Sequence, residues 1–235
     1  MSRPRPRILS FPNPETLAGS LAAAVAERLR NALAEDKTVS LVVSGGTTPK
    51  RFFRRLSEYD LAWDRVLITL ADERWVDPAS KASNEYLVQS QLLRSRARAA
   101  TFVPLKNSAP SARQGENECH LALSRLPRPF AAVILGMGGD GHTASLFPGA
   151  AGLAEALDMH SGRNCAAVSP AHAPHERMTL TLPLLLDAGL IILHITGAAK
   201  RRVLAQAMEG RPSVSMPIRA VLDQGKTPVH IYWAP

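Results

Sequence analysis

Residues 131–148 read AAVILGMGGDGHTASLFP, and this stretch indicates both the fold class and the place of a functional site. The apolar run at 131–135 has the length and branching of a buried strand. The four glycines within 136–141 allow the backbone to turn tightly and to approach a ligand closely. A structural turn has the same glycines, but Asp140 and His142 add a carboxylate and an imidazole. Because open α/β sheets bind ligands beyond the carboxyl ends of their strands, we expect a site here.

A second glycine turn follows an earlier predicted strand, at 38–43, and precedes a predicted helix at 51–56 that Thr48 would cap. The turn consists of Ser44, Gly45, Gly46, Thr47 and Thr48. A strand, a glycine turn and a helix start can point free N–H groups at an anion, although a plain turn shows the same pattern. We favour a phosphate site. The spacing of a nucleoside triphosphate loop, Gly-x-x-x-x-Gly-Lys, is absent.

The remaining chain alternates between strand and helix patterns, without repeats, low-complexity runs or a long linker. Helices are predicted at 14–35, 84–93 and 111–126, and strands at 66–70, 165–168, 178–182, 190–195 and 228–233. Alternating apolar and hydroxyl residues predict that the strand at 178–182 is half-exposed. The pattern predicts a single three-layer α/β domain over 1–235 with a mostly parallel central sheet, preceded by a basic segment at 1–12.

Further polar residues lie near the predicted strand ends. Asp72 and Arg74 follow the strand at 66–70 within a run of three charges that we expect to lie outside the core. Arg177 begins the strand at 178–182, and Lys200 lies on a helix after the strand at 190–195. Such groups could share one cleft, which would suit a phosphorylated substrate undergoing proton transfer or hydrolysis. Imidazole can take a proton from water, carboxylates can orient it, and arginine can stabilise an oxyanion or bind phosphate.

Composition limits the class of protein. The 235 residues are 46% hydrophobic and 20% charged, and no apolar run reaches the roughly 18 residues of a membrane helix. The basic N-terminus lacks the apolar core of a signal peptide, so we expect a cytoplasmic protein with no membrane partner. The net charge of +8 suggests an anionic partner, but aromatic residues are only 5% and no nucleic-acid motif is present. Without an apolar seam, we expect a monomer.

The cysteines and the other histidines give no metal-binding pattern. Cys119 and Cys165 are far apart in sequence, which predicts reduced, partly buried thiols. His172 and His175 have a spacing of three, but Pro174 interrupts any helix that would bring them together. The remaining histidines are interpreted as surface or core residues: His120, His160, His194 and His230.

Five segments together resemble the 6-phosphogluconolactonase family. They are residues 44–50, 72–76, 83–85, 136–148 and 177–183, and they occur in the family's order over nearly the whole chain. The resemblance implies a fold similar to those of glucosamine-6-phosphate deaminases and other sugar-phosphate isomerases. It also implies a hydrolase of the pentose phosphate pathway that needs no metal or other cofactor. Its substrate would be 6-phospho-D-glucono-1,5-lactone, and its product 6-phospho-D-gluconate.

The resemblance also assigns roles within the predicted cleft. His142 would be the base that activates water, while Asp140 and Asp72 would orient that histidine, the water or the sugar hydroxyls. Arg74 would polarise the lactone carbonyl. The phosphate would be held by Ser44, Gly45, Gly46, Thr47, Arg177 and Lys200.

Two other functions share these patterns. Glucosamine-6-phosphate deaminases have similar loops, but their pattern places a carboxylate shortly after the loop histidine, and residues 143–148 contain none. Their pattern also lacks an arginine in the position of Arg74. A non-catalytic sugar-phosphate sensor is the second alternative, but no helix-turn-helix pattern accompanies the domain and the candidate base is present.

Overall fold

The computed structural model describes residues 6–35, 37–210 and 214–235. Within these residues the strands are β1 (Arg7–Ser10), β2 (Val39–Val43), β3 (Val66–Leu70), β4 (Asp72–Arg74), β5 (Thr101–Val103), β6 (Ala132–Leu135), β7 (Cys165–Val168), β8 (Arg177–Leu180), β9 (Ile191–Thr196) and β10 (Val229–Ala234). The α-helices are α1 (Pro14–Glu35), α2 (Lys50–Leu56), α3 (Asn84–Gln91), α4 (Ala112–Ser124), α5 (Leu153–Leu157), α6 (Leu182–Leu185), α7 (Ala198–Glu209) and α8 (Ile218–Leu222). Short 3₁₀ helices cover Trp63–Arg65 and Ser95–Ala99.

Seven parallel strands form the central sheet, in the order β1-β10-β9-β6-β2-β3-β5. The inner strands are nearly continuous apolar runs, and β2 and β6 are buried at every position. Such runs are typical of a parallel sheet covered by helices on its faces. The predicted α/β fold with a mostly parallel sheet is therefore confirmed.

The direction of winding reverses at the middle of this sheet. From β2 the chain continues to β3 and β5 on one side, and then to β6, β9 and β10 on the other. Ligand crevices in open α/β sheets lie at the carboxyl ends of the strands where the order reverses. The two glycine turns follow β2 and β6, so the fold places both at this crevice.

Helix α1 begins and packs as its sequence predicts. The Asn13 side chain accepts a hydrogen bond from the Thr16 N–H at 2.8 Å, which caps the first turn. Leu17, Leu21 and Leu29 lie on one face and are fully buried, and the helix contacts β2, β6 and β10. The apolar stripe thus fixes one helical layer on the sheet.

A second, antiparallel sheet of three strands, β4-β8-β7, corrects two predictions. The three charges at 72–74 were expected outside the core, yet they form β4, and both Asp72 and Glu73 are buried. Strand β8 is buried at all four positions instead of half-exposed. Its hydroxyl residue Thr179 can be buried because its side chain donates to backbone carbonyls, including Ala71 O at 3.4 Å.

Smaller elements also differ from the predictions. The prediction that Thr48 caps a helix is wrong, because α2 begins at Lys50 with Pro49 at the cap position and no side-chain cap. The sequence patterns also missed β1, β5 and the short helices α5, α6 and α8. Strand β1 lies in the predicted basic segment at 1–12, of which residues 1–5 lie outside the described part, and it pairs with β10. The single domain over 1–235 stays a prediction.

Candidate active site

A cleft of about 510 Å³ opens at the carboxyl ends of β2, β3, β6 and β9. The predicted site residues that line it are Ser44, Gly45, Gly46, Thr47, Asp72, Arg74, His142, Arg177 and Lys200. Asp140 is absent from its lining, although it contacts His142. Thr48, which belongs to the predicted turn, also lines the cleft, as do residues outside the predicted site: Asn84, Phe147, His194 and Thr196. The fold thus gathers nine of the ten predicted site residues around one space.

The His142 imidazole is held in one orientation by the loop that carries it. Its Nδ1 lies 2.6 Å from Asp140 Oδ1, and its backbone N–H donates to the same oxygen at 3.1 Å. The Phe147 ring packs on the imidazole with centroids 4.1 Å apart. Because Nδ1 is hydrogen-bonded to the carboxylate, Nε2 is the nitrogen that can exchange a proton with a ligand in the cleft.

Asp140 acts on the cleft through His142. Its side chain is 49% exposed. Burial raises its pKa, but hydrogen bonds from His142 and the attraction to that imidazole outweigh burial, so the pKa is lowered overall. An ionised carboxylate at Nδ1 stabilises the imidazolium that forms when His142 takes up a proton.

Two glycines allow this loop to close on the imidazole. Gly141 has φ of 80°, in the left-handed region, and its carbonyl accepts from the Ile218 N–H of α8 at 2.9 Å. A Cβ on Gly138 would lie 2.1 Å from His142 Nδ1 and 2.5 Å from Asp140 Oδ1. A side chain at position 138 would therefore separate the pair.

Arg74 and Arg177 lie directly opposite each other in the β4–β8 pair. Both Nε atoms are buried without a hydrogen-bond partner in the described part of the chain. Burial, and then the charge of Arg74, lower the pKa of Arg177 against the opposing effect of Asp72 and Glu73. Two cations that face each other and line the cleft favour binding of an anion between or beside them.

Asp72 connects two segments of the site, the loop that carries His142 and the start of α3. Its Oδ2 accepts a hydrogen bond from Ser145 Oγ at 2.6 Å, and its backbone carbonyl accepts from Asn84 Nδ2 at 2.8 Å. Ser145 belongs to the loop that carries His142, whereas Asn84 begins α3. Asp72 thus sets the position of both segments relative to β4, the first through its carboxylate and the second through its backbone carbonyl.

Glu73 lies beside this site and has a structural role. It is 1% exposed, and its two oxygens accept hydrogen bonds from the N–H groups of Arg74, Asn84 and Glu85 and from the Ser83 hydroxyl, all within 2.9 Å. Burial raises its pKa, opposed by these hydrogen bonds. Glu73 therefore binds the start of α3 to β4, and it holds Asn84 at the cleft.

The glycine turn after β2 approaches its neighbours closely. Gly46 has φ of 92°, and a Cβ on Gly45 would lie 1.8 Å from Asn84 Oδ1. Ser44 Oγ donates to Ile134 O at 2.8 Å, so its hydroxyl proton is already used within the protein. The exposed Gly46 and Thr47 leave the turn open to a ligand.

Lys200 reaches the cleft from the first turn of α7, the helix that follows β9. It makes no ion pair with any residue that the structure describes. Together with Arg74 and Arg177 it gives the cleft three cations. Among the described residues, no three His, Cys, Asp or Glu side chains are grouped as a metal site would require.

Of the residues that the sequence missed, Ser145 and Phe147 lie within the motif at 136–148, and Asn84 directly follows the helix cap Ser83. Their places in the motifs were visible, but their contacts depend on the folded loops. His194 gave no sequence signal that distinguishes it from a core histidine.

Comparisons with known proteins place the chain among sugar-phosphate enzymes. Residues 12–233 match the family described as glucosamine-6-phosphate isomerases/6-phosphogluconolactonase. A 6-phosphogluconolactonase from Mesorhizobium japonicum is 48% identical over 226 residues, which cover 96% of this chain and 94% of that protein.

Solved structures agree with this match. The crystal structure of a 6-phosphogluconolactonase from Shewanella baltica OS155 has a TM-score of 0.96 and 45% identity, covering 98% of each chain. A monomeric glucosamine-6-phosphate deaminase of the NagB superfamily has a TM-score of 0.80 at 17% identity, covering 96% of each chain, and shows the shared fold alone. The predicted resemblance and fold are confirmed.

Replacing Gly138 with alanine should break the Asp140–His142 pair, because the new Cβ would overlap both side chains. We expect the ¹⁵N spectrum of the His142 imidazole to change from a single Nδ1-protonated tautomer to a mixture. Gly139→Ala is the matched control, since its Cβ would have no atom within 4 Å and its φ lies outside the left-handed region. An unchanged tautomer in Gly138→Ala would contradict the role of Gly138 as the space for this pair.

Replacing Ser145 with alanine should lower the free energy of unfolding by about 1.5–3 kcal/mol, because the buried Asp72 carboxylate loses a charged hydrogen bond. Urea denaturation measures the change. The exposed Ser90→Ala is the control and should stay within about 0.5 kcal/mol of the wild type. A Ser145 variant as stable as this control would show that the Oγ–Oδ2 contact contributes nothing to folding.

Proposed function

The chain belongs to the family of glucosamine-6-phosphate isomerases and 6-phosphogluconolactonases, and from this we propose that it is a lactonase. It hydrolyses 6-phospho-D-glucono-1,5-lactone to 6-phospho-D-gluconate, the second step of the oxidative pentose phosphate pathway. The observation that carries the proposal is the Asp140–His142 pair, whose free nitrogen serves a cleft lined by Arg74, Arg177 and Lys200. Hydrolysis of an anionic ester needs these groups.

His142 is the general base in this mechanism. Its Nε2 takes a proton from water as the water oxygen attacks the lactone carbonyl carbon, which forms a tetrahedral oxyanion. When the oxyanion collapses, the bond from that carbon to the ring oxygen breaks. The imidazolium then returns the proton to the ring oxygen, which becomes the hydroxyl of the product. Asp140 stabilises the imidazolium between the two transfers.

Arg74 polarises the carbonyl, while Arg177 and Lys200 hold the phosphate together with the turn formed by Ser44, Gly45, Gly46 and Thr47. In a six-membered lactone, the carbonyl carbon and the carbon bearing the phosphorylated arm are both bonded to the ring oxygen. The carbonyl oxygen, which becomes negatively charged in the transition state, and the charged phosphate are therefore close together. Two arginines that face each other across β4 and β8 can serve one group each.

Asp72 positions the substrate in this scheme. Ser145 occupies its Oδ2, and its Oδ1 has no hydrogen bond to any described residue, so Oδ1 can accept one from a sugar hydroxyl or the attacking water.

The monomeric state and the cytoplasmic location stay predictions. No helix among the described residues is long and apolar enough to cross a membrane.

Deamination of glucosamine 6-phosphate is the alternative within the same family. It would need a carboxylate shortly after the loop histidine in sequence, and the polar side chains after His142 in this loop are Thr143 and Ser145. Both are engaged, Thr143 with Gly136 O at 2.8 Å and Ser145 with Asp72. No carboxylate of this loop is available to take the additional proton-transfer role.

The experiment that tests the function follows acid release from freshly made 6-phosphogluconolactone at mildly acidic pH and short times, where spontaneous opening is slow. We expect a rate well above that without protein. Glucosamine 6-phosphate is offered in parallel and ammonia is measured. Ammonia release without lactone hydrolysis would establish the deaminase, and binding of both compounds without reaction would establish a sensor.

Replacing His142 with asparagine should lower kcat for the lactone by about 10²–10⁴-fold, because general-base catalysis is lost. Asp140→Asn should lower kcat less, because the imidazole keeps a neutral hydrogen-bond partner but loses the charge that stabilises the imidazolium. The pH dependence of kcat/KM should shift in Asp140→Asn, which a purely structural defect would not produce. Full activity in His142→Asn would exclude the mechanism while leaving the function open.

Substitutions of the three cations should affect different kinetic parameters. Arg177→Ala and Lys200→Ala should each raise KM for the phosphorylated lactone by about tenfold or more, the loss expected for one charged hydrogen bond. Arg74→Ala should mainly lower kcat, because the oxyanion forms only in the transition state. An unchanged KM in both Arg177→Ala and Lys200→Ala would show that the phosphate binds elsewhere.

A further inference from the structure

His194 is a buried histidine on β9 that lines the cleft. It is 5% exposed, and neither ring nitrogen bonds to another described residue. Nδ1 is fully enclosed, yet the residue lines the cleft, which leaves Nε2 as the nitrogen that faces the open space. A ligand in the cleft could give Nε2 a hydrogen-bond partner, whereas the enclosed Nδ1 is out of its reach.

The ring lies on the side of the cleft formed by the glycine turn. It packs edge-on against Phe52 of α2, with centroids 6.2 Å apart and planes at 85°, and α2 begins directly after the turn. Thr196 lies two residues further along β9, on the same face of the strand. Lys200 follows on α7, so His194 lies among elements that carry the proposed phosphate ligands.

The protonation state of the ring suits a neutral hydrogen-bond donor. Burial lowers the pKa of His194 to about 4, so the imidazole is uncharged near neutral pH and carries one N–H. A proton on Nδ1 would bury a donor with no acceptor. With the proton on Nε2, the donor points to the cleft.

We propose that His194 is a substrate-binding residue whose imidazole Nε2–H donates a hydrogen bond to a phosphate oxygen of the sugar phosphate. This rests on the proposed function for the identity of the ligand. Lys200 and Arg177 supply positive charge to the phosphate, whereas His194 supplies an uncharged hydrogen-bond donor from strand β9. Its contribution is to affinity for the phosphorylated arm, since it does not touch the carbonyl that reacts.

Calorimetric titration of the full chain with inorganic phosphate, and separately with 6-phosphogluconate, tests the proposal. His194→Phe keeps a ring against Phe52 but removes the donor, and we expect both ligands to bind about tenfold more weakly or worse. His194→Gln, whose amide nitrogen can approach the place of Nε2, should recover part of the affinity. Binding to His194→Phe that equals the wild type would overturn the proposal.

Kinetics distinguish a phosphate contact from a structural effect. With the phosphorylated lactone, His194→Phe should raise KM about tenfold and leave kcat within about twofold. With D-glucono-1,5-lactone, which has no phosphate, kcat/KM should match the wild type. Equal losses with both lactones would mean that His194 contacts the sugar ring or only supports the fold, and either outcome would overturn the proposal.

Two measurements keep the test independent of the variants' folding and of the lactonase activity. Ile192→Val, at a fully buried position on the same face of β9, should lower thermal stability without changing phosphate affinity. In the wild-type chain, phosphate should shift the ¹⁵N resonance of His194 Nε2, and an unshifted resonance would overturn the proposal. If the wild type fails to hydrolyse the lactone, the proposed function fails while phosphate binding still decides the role of His194.

Discussion

The hydrogen bond from Ser44 Oγ to Ile134 O joins β2 and β6 at 2.8 Å, at the point where the strand order of the central sheet reverses. The chain runs from β2 to one side of the sheet and from β6 to the other. The loops that follow these two strands therefore leave a crevice between them. The glycine turn after β2 and the His142 loop after β6 both start from this junction. Moving either strand end would move a binding group relative to the reacting group.

Most polar groups of the cleft have their positions fixed by hydrogen bonds with other residues. Asp140 holds His142, Ser145 holds Asp72, and Glu73 fixes the helix start that carries Asn84. The exceptions are groups that have no such partner among the described residues: both arginine Nε atoms, the Lys200 ammonium and the His194 imidazole. Preorganised groups beside unused donors are what an enzyme needs to stabilise charge on a substrate without rearranging itself.

The sequence was sufficient to predict the parallel sheet and its long elements, because buried strands and the stripe on α1 have strong local patterns. It also located the two glycine turns, since strand ends and glycines are visible without tertiary information. It predicted two strands of the second sheet, at 165–168 and 178–182, but neither β4 nor a separate sheet. A three-residue strand of Asp72, Glu73 and Arg74 has no apolar pattern, and its pairing with β8 exists only in the folded chain. The burial of Glu73 and His194 likewise follows from neighbours that are distant in sequence.

A crystal structure of the chain with 6-phosphogluconate bound would measure the arrangement most directly. We expect a carboxylate oxygen of the product within about 3.2 Å of His142 Nε2, the reach of a hydrogen bond. The phosphate should lie against the N–H groups of Gly45 and Gly46 and the Lys200 ammonium. A reversed ligand, with its phosphate at His142 and its carboxylate on the glycine turn, would contradict the proposed division between reacting and binding groups.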